Sequence, residues 1–216
     1  MIPVQPHHSH DALFLKDLEI TTGLLNNATE IKIHLVTGQL LYHQNEVADF
    51  IDLFSADDIV EEINMIVTKN GLDTRPIAGK LRKLEANNLL DYLMFATKAN
   101  RSLKMFRMKL RGNFTQVHLW TLGFDFSVGW FTNEIDEQIG IGISPSDVQY
   151  ESPYLYVNPF PFKENMLEHS LPMGIWHTAD SWLGIKVEWE ALENNSEKEI
   201  ACKIHDLFVI AYHNFR

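Results

Sequence analysis

The stretch PHHSHDALFLKDLEI, residues 6–20, sets His7, His8 and His10 within four positions ahead of an apolar run. Neutral imidazole is a ligand for zinc and other first-row metals, so such a cluster can open a metal site; an N-terminal group of histidines can equally be a solvated tail. His7 and His10 are three apart and would face opposite sides of a strand, so joint ligation needs a turn or loop, and Pro3 and Pro6 suit one. His118 heads the aromatic stretch TQVHLWTLGFDFSVGWFTN, where Trp120, Leu122, Phe124, Phe126, Val128 and Trp130 fall on one face if a single parity runs through Gly123. A histidine at the head of that face would be partly buried and would need a partner for each ring nitrogen. Asp125 has the opposite parity and shares a face with His118 only if Gly123 opens a bulge.

Other carboxylates are less specific. Glu188 and Glu190 flank Trp189 in an alternating strand and so share a face, where they could do acid–base work or simply face solvent opposite a buried tryptophan. Patterns for a nucleophile elbow, a P-loop and a zincin helix are missing, and Gly140-Ile141-Gly142-Ile143-Ser144 cannot open a phosphate-binding helix because Pro145 follows at once.

The elements that must carry these side chains follow from periodicity. An extended segment is expected over 12–20, where Leu13, Phe14, Leu15 and Leu18 mix with charged residues. IKIHLV at 31–36 alternates, Thr37-Gly38 signals a hairpin, and another strand is expected over 47–54. Ser55 and Asp58 then start a helix whose core face is Ile59, Ile63, Ile66 and Val67 and which Gly71 stops. A longer helix over 85–111 carries the stripe Leu89, Leu93, Ala96, Ala99, Leu103, Phe106 and Leu110, with Lys104, Arg107, Lys109 and Arg111 complementing the dipole at its carboxyl end. After the aromatic hairpin, ESPYLYVNPFPF supplies one strand and GIWHTADSWLGIKVEWEAL two. A last helix begins at Ser196 and Glu199 and buries Ile200, Ile204, Leu207, Phe208, Ala211 and Phe215. Residues 133–150 read as the longest loop, and residues 1–9 as an extended tail or site-forming loop. These signals predict an α+β fold: a single domain over 1–216, with a largely antiparallel sheet of about seven to nine strands and three helices, the last C-terminal.

The totals set the setting. With 29 acidic against 18 basic residues the formal charge is −11, which repels a phosphate backbone, so no nucleic-acid partner is expected. A single cysteine, Cys202, fits a reducing compartment, and no apolar run approaches the ~18 residues that cross a bilayer, so a cytoplasmic protein without membrane association is expected. The oligomeric state stays open.

Three stretches together resemble an uncharacterised bacterial family, the domain-of-unknown-function family numbered 5996. They are His7-His8-Ser9-His10 followed by ALFLKDLEI and Thr21-Thr22; Phe106, Arg107, Lys109 and Gly112 leading to Val117-His118, Trp120 and Phe124-Asp125; and a Tyr-x-Tyr-x-x-Pro-x-Pro element at Tyr154, Tyr156, Pro159 and Pro161. The paired tryptophans of the first element are replaced here by His8 and Ser9. The family has no established reaction. What the resemblance implies is a set of ligands: His7, His10 and His118, with Asp125 either as a fourth or as a partner holding one of them, for a divalent zinc, iron or manganese ion whose open position could activate water for hydrolysis. The competing reading is a non-catalytic module in which Trp120, Trp130, Tyr154, Tyr156, Trp176 and Trp182 line a pocket for a small apolar or cyclic ligand. A protein-interaction role on the acidic surface is the third.

Overall fold

The computed structural model describes residues 15–16, 31–34, 39–42, 45–49, 59–69, 71, 86–120, 123–132, 137–147, 149–179 and 182–213. They divide between two compact units, one within His10–Thr97 and the other within Lys98–Arg216. Among these residues there are three α-helices, and every strand pairing is antiparallel, so the fold is α+β.

In the first unit, β1 (Ile31–His34), β2 (Gln39–Tyr42) and β3 (Asn45–Asp49) form a three-stranded sheet in sequence order. His34 opposite Gln39 and Ile31 opposite Tyr42 give the hairpin that Thr37-Gly38 predicts. Helix α1 (Ile59–Lys69) ends at Gly71, whose φ of 70° is the left-handed conformation that glycine adopts without cost. Leu15 and Lys16 are helical, which corrects the extended reading of that stretch: leucines three and five apart mark an apolar segment but do not choose its period. Helix α2 (Ala86–Met108) starts in this unit, where Leu89, Tyr92, Phe95 and Ala96 are buried.

The second unit is built on a six-stranded sheet in the order β4-β5-β6-β7-β9-β8: β4 (His118–Trp120), β5 (Asp125–Phe131), β6 (Gln138–Ser144), β7 (Tyr154–Phe160), β8 (Ile175–Ala179) and β9 (Trp182–Glu188). It holds fewer strands than the seven to nine expected of one sheet, because the N-terminal hairpins make a separate small sheet. All of β6 falls inside the stretch expected to be loop, residues 133–150. Ile139, Ile141 and Ile143 alternate into the core there, and the intervening Gly140 and Gly142 belong to a strand that other side chains approach closely.

Alternation gives this sheet two unlike faces. Phe126, Val128, Trp130, Ile139, Ile141, Ile143, Leu155, Val157, Ile185 and Val187 point to one side and are buried, with helix α3 (Glu197–His213) lying against β6 and β7. Phe208 of α3 meets Trp130 and Phe106 edge to face, at centroid distances of 6.0 and 5.8 Å. The start of α3 is the capping box that the sequence predicts: the Glu199 carboxylate accepts from the Ser196 amide and hydroxyl, which also holds that carboxyl below its ordinary range. At the end of α2, Arg107 reaches past the helix and donates from Nε to the Thr115 carbonyl at 2.9 Å, tying the incoming chain of β4 to the helix. The other face of the sheet has no helix of its own unit described against it, and it carries the polar and aromatic residues.

Candidate binding cavity

Register assigns that second face residue by residue. His118 lies opposite Ser127 and Trp120 opposite Asp125; Ser127 opposite Gly142; Gly142 opposite Tyr156 and Ser144 opposite Tyr154; Tyr156 opposite Lys186 and Tyr154 opposite Glu188; Ala179 opposite Trp182 and His177 opposite Gly184. All of these side chains therefore share one surface.

At its centre Tyr156 crosses a strand. A β-carbon on Gly142 would come within 2.2 Å of the Tyr156 Cζ and hydroxyl, so the phenol lies flat over a position that must be glycine. Its hydroxyl donates to Asp125 Oδ2 on β5 at 2.6 Å. Asp125 is aimed here by the turn before it, in which Phe124 takes a φ of 54°. That conformation is uncommon for an aromatic residue, and complete burial of the ring holds it. Burial raises the Asp125 carboxyl above its ordinary range, while the Tyr156 hydroxyl, by bonding the ionised form, pulls it back. The same burial, with the Asp125 charge close by, pushes Tyr156 well above the ordinary phenol range, so its hydroxyl stays a donor.

A second tyrosine–aspartate pair stands beside the first. Tyr154 donates to Asp147 Oδ2 at 2.5 Å, and Oδ1 of the same carboxylate accepts the amides of Gln149 and Tyr150 at 2.7 and 2.9 Å. Burial and that carboxylate likewise push Tyr154 upward. Asp147 thus folds the loop between β6 and β7 onto the sheet and delivers Tyr150, whose hydroxyl lies 3.0 Å from Nε2 and 3.2 Å from Nδ1 of His177. His177 is buried and packs on Trp182 with a centroid distance of 4.1 Å. Burial and the neighbouring Lys186 charge lower its tendency to protonate, partly offset by Asp147. Lys186, only 6% exposed, places Nζ 3.5 Å from the centre of the Tyr150 ring and 2.9 Å from Glu188. Replacing Asp147 with alanine removes three hydrogen bonds to one carboxylate and is expected to destabilise the second unit by about 1–3 kcal/mol. A urea midpoint, with amide exchange over 146–153, measures it; unchanged protection of the Tyr150 amide would show that the loop has another anchor.

Gly123, Asp125, Ser144, Ser146, Asp147, Tyr154, Tyr156, Asn158 and Trp182 line an open cavity of about 330 Å³. Three of the six aromatics expected to line a pocket, Tyr154, Tyr156 and Trp182, meet in it; the other three do not. Trp130 points to the opposite face and is core, 5.0 Å from the Tyr212 ring. Trp176, opposite Ile185, also turns to that face, against Phe162, with its indole N–H donated to the His169 carbonyl at 2.8 Å. Trp120 is on the cavity's face but 60% exposed, donating to Ser127 Oγ at 2.8 Å.

His118 is exposed, not partly buried at the head of an apolar face, because the turn through Gly123 and Phe124 resets the parity of the hairpin: Leu119, not His118, pairs with Phe126 toward the core. The same turn puts His118 and Asp125 on one face after all, on opposite strands and with different neighbours. His7 and His10 lie outside the described residues, and among the described residues no three His, Cys, Asp or Glu side chains stand together as ligands for a metal ion. Glu188 pairs with Lys186, and β9 ends there, so Glu190 belongs to the 3-10 turn Trp189–Ala191.

Sequence reasoning left out Asp147, Asn158 and Lys186. Asn158 was readable, since it continues the i, i+2 series of Tyr154 and Tyr156. Lys186, between two apolar neighbours in an alternating strand, reads as solvent-facing; only the loop folded over it shows otherwise. No helix among the described residues is long and apolar enough to cross a membrane. No protein-family model, curated protein or solved structure matches the chain.

Proposed function

We propose that the protein binds a small organic molecule in the cavity on the open face of the six-stranded sheet. The observation that carries this reading is the convergence of Tyr154, Tyr156 and Trp182 with Asp125, Asp147 and Asn158 around one space of about 330 Å³. That volume is at the small end of ligand sites, and a lining of aromatic walls with a few fixed polar groups is their usual composition. The lining is also preorganised: both phenols are oriented by aspartates, and a glycine makes room for one of them. The elements resembling family 5996 support the same place, since Asp125, Tyr154 and Tyr156 all fall in them. A metal centre on His7, His10, His118 and Asp125, with the hydrolysis it would permit, rests on that resemblance alone.

A thermal-shift screen with neutral sugars, nucleosides and organic cations tests the binding reading. A saturable rise in midpoint is expected for one of these classes, abolished by Trp182→Ala and reduced by Asn158→Leu. No rise with any class, together with an unmoved Trp182 indole resonance on titration, would end it.

A further inference from the structure

The lining of the cavity is chemically one-sided. Among the described residues that line it there are two carboxylates and no lysine, arginine or histidine. Both phenol hydroxyls donate to carboxylates of the protein, Tyr156 to Asp125 and Tyr154 to Asp147. Besides the serine hydroxyls and the Asn158 amide, what the cavity offers is negative charge and aromatic faces, a poor match to phosphates or carboxylates.

The three rings are evenly placed. Their centroids are 6.2 Å apart for Tyr154 and Tyr156, 6.3 Å for Tyr154 and Trp182, and 6.3 Å for Tyr156 and Trp182. Tyr154 and Trp182 are nearly parallel, at 11°, and Tyr156 is turned 50° and 60° from them. A group seated close above the plane of this near-equilateral triangle lies within ~6 Å of all three centroids, the range over which a cation above a ring face is held. A phenol that donates to a carboxylate also has more electron density on its ring, which strengthens that attraction.

The same face already shows the chemistry in miniature. The Lys186 ammonium is buried against Tyr150, at 3.5 Å, and Tyr154, at 5.5 Å, with the Glu188 carboxylate at 2.9 Å. Lys186 does not line the cavity, and Glu188 at 2.9 Å offsets its charge. The formal charge of −11 adds a long-range field of the same sense.

We infer that the cavity is an aromatic cage for an alkylated ammonium group, formed by Tyr154, Tyr156 and Trp182 with Asp125 and Asp147 as counter-charges. Such a group carries charge with little demand for hydrogen-bond acceptors or donors, which suits walls whose phenols and carboxylates already satisfy one another. The inference rests on the binding reading above and names its ligand class.

Titration calorimetry of the full chain with tetramethylammonium and with choline tests it. The comparison arms are the neutral carbon isostere of choline, calcium chloride at equal ionic strength, and a trimethyllysine peptide beside its unmodified form. Expected are saturable binding of both small cations, affinity for the neutral isostere weaker by about tenfold, and no competition from calcium. Trp182→Ala is expected to weaken choline binding at least tenfold and Trp182→Phe less, the second variant keeping a ring should the first unfold. Tighter binding of the trimethyllysine peptide than of choline would assign the same head group to a macromolecular source. Equal affinity for the neutral isostere, displacement of choline by calcium, or no cation binding up to about 10 mM would each overturn the cage. If neutral sugars or nucleosides still bind in a Trp182-dependent way, the binding reading stands and only the ligand class falls; if nothing binds, both fall.

Discussion

Gly142→Ala is expected to abolish binding in the cavity and to destabilise the second unit by about 1–3 kcal/mol, although the backbone at this position is ordinary strand. The new methyl would sit 2.2 Å from the Tyr156 Cζ and hydroxyl and 2.6 Å from Cε1, so the ring must leave its place over β6. When it moves, the 2.6 Å bond to Asp125 breaks and one vertex of the aromatic triangle is lost. A control lies two residues away on the same strand and face. A β-carbon on Gly140 would meet only the Asn158 carbonyl at 3.8 Å and Asn158 Cβ at 4.0 Å, ordinary contacts, so Gly140→Ala is expected to be neutral or slightly stabilising, as alanine generally is over glycine in a strand. Urea midpoints and choline titrations of the two variants measure the difference. Wild-type affinity in Gly142→Ala would show that Tyr156 can vacate its position without consequence, which the cage does not allow.

The contrast between these two glycines also explains what could be read in the sequence. Gly-Ile-Gly-Ile looks like loop because glycine is the usual mark of one, yet the isoleucines at alternate positions carried the strand signal and Gly142 recorded a close approach from a side chain fourteen residues further on. Local composition cannot show where an approaching residue comes from. Helices α1 to α3 were legible because apolar spacing is local, as are the capping box of α3 and the hairpin at Thr37-Gly38; the cap expected for α1 at Ser55 and Asp58 lies outside the described residues. The aromatic hairpin was legible as a hairpin, but its faces were not: a parity carried through Gly123 fails when the turn takes up Phe124 in a left-handed conformation, and that one step exposes His118 and aims Asp125 into the cavity. For the same reason the tryptophans divided as they did. Trp182 follows a turn onto the open face, whereas Trp130 and Trp176 sit at positions whose strand partners, Ile139 and Ile185, are core. Aromatic type predicted the half of the site that register happened to gather; the aspartate of the β6–β7 loop needed the fold.

The Tyr156–Asp125 pair makes stability depend on pH in a direction opposite to most carboxylates, and Tyr156→Phe is expected to enlarge that dependence. Burial raises the folded-state carboxyl of Asp125 above its unfolded value near 3.8, so the native state binds the proton more tightly than the unfolded one. Stability therefore falls as pH rises from the unfolded value through the raised folded value, and above that window the ionised, half-buried carboxylate exerts its full cost. The Tyr156 hydroxyl limits this cost by donating to the charged form. Without it the carboxylate keeps its burial and loses its donor, the folded-state value moves further up, and the window widens toward neutral pH. Tyr156→Phe should thus cost about 1–3 kcal/mol at pH 8 and progressively less as pH falls through the window and the carboxyl takes up its proton. Asp125→Asn should show the reverse: little change at low pH, a gain in stability above the window, and weakened binding of choline because a counter-charge is gone. Urea midpoints from pH 4 to 8 for wild type and both variants separate these effects. A Tyr156→Phe penalty that is constant across the range would mean that Asp125 is not the group the phenol serves. Combining the two substitutions gives the sharper test, since in Asp125→Asn the phenol bonds a neutral amide and its removal should no longer carry any dependence on pH.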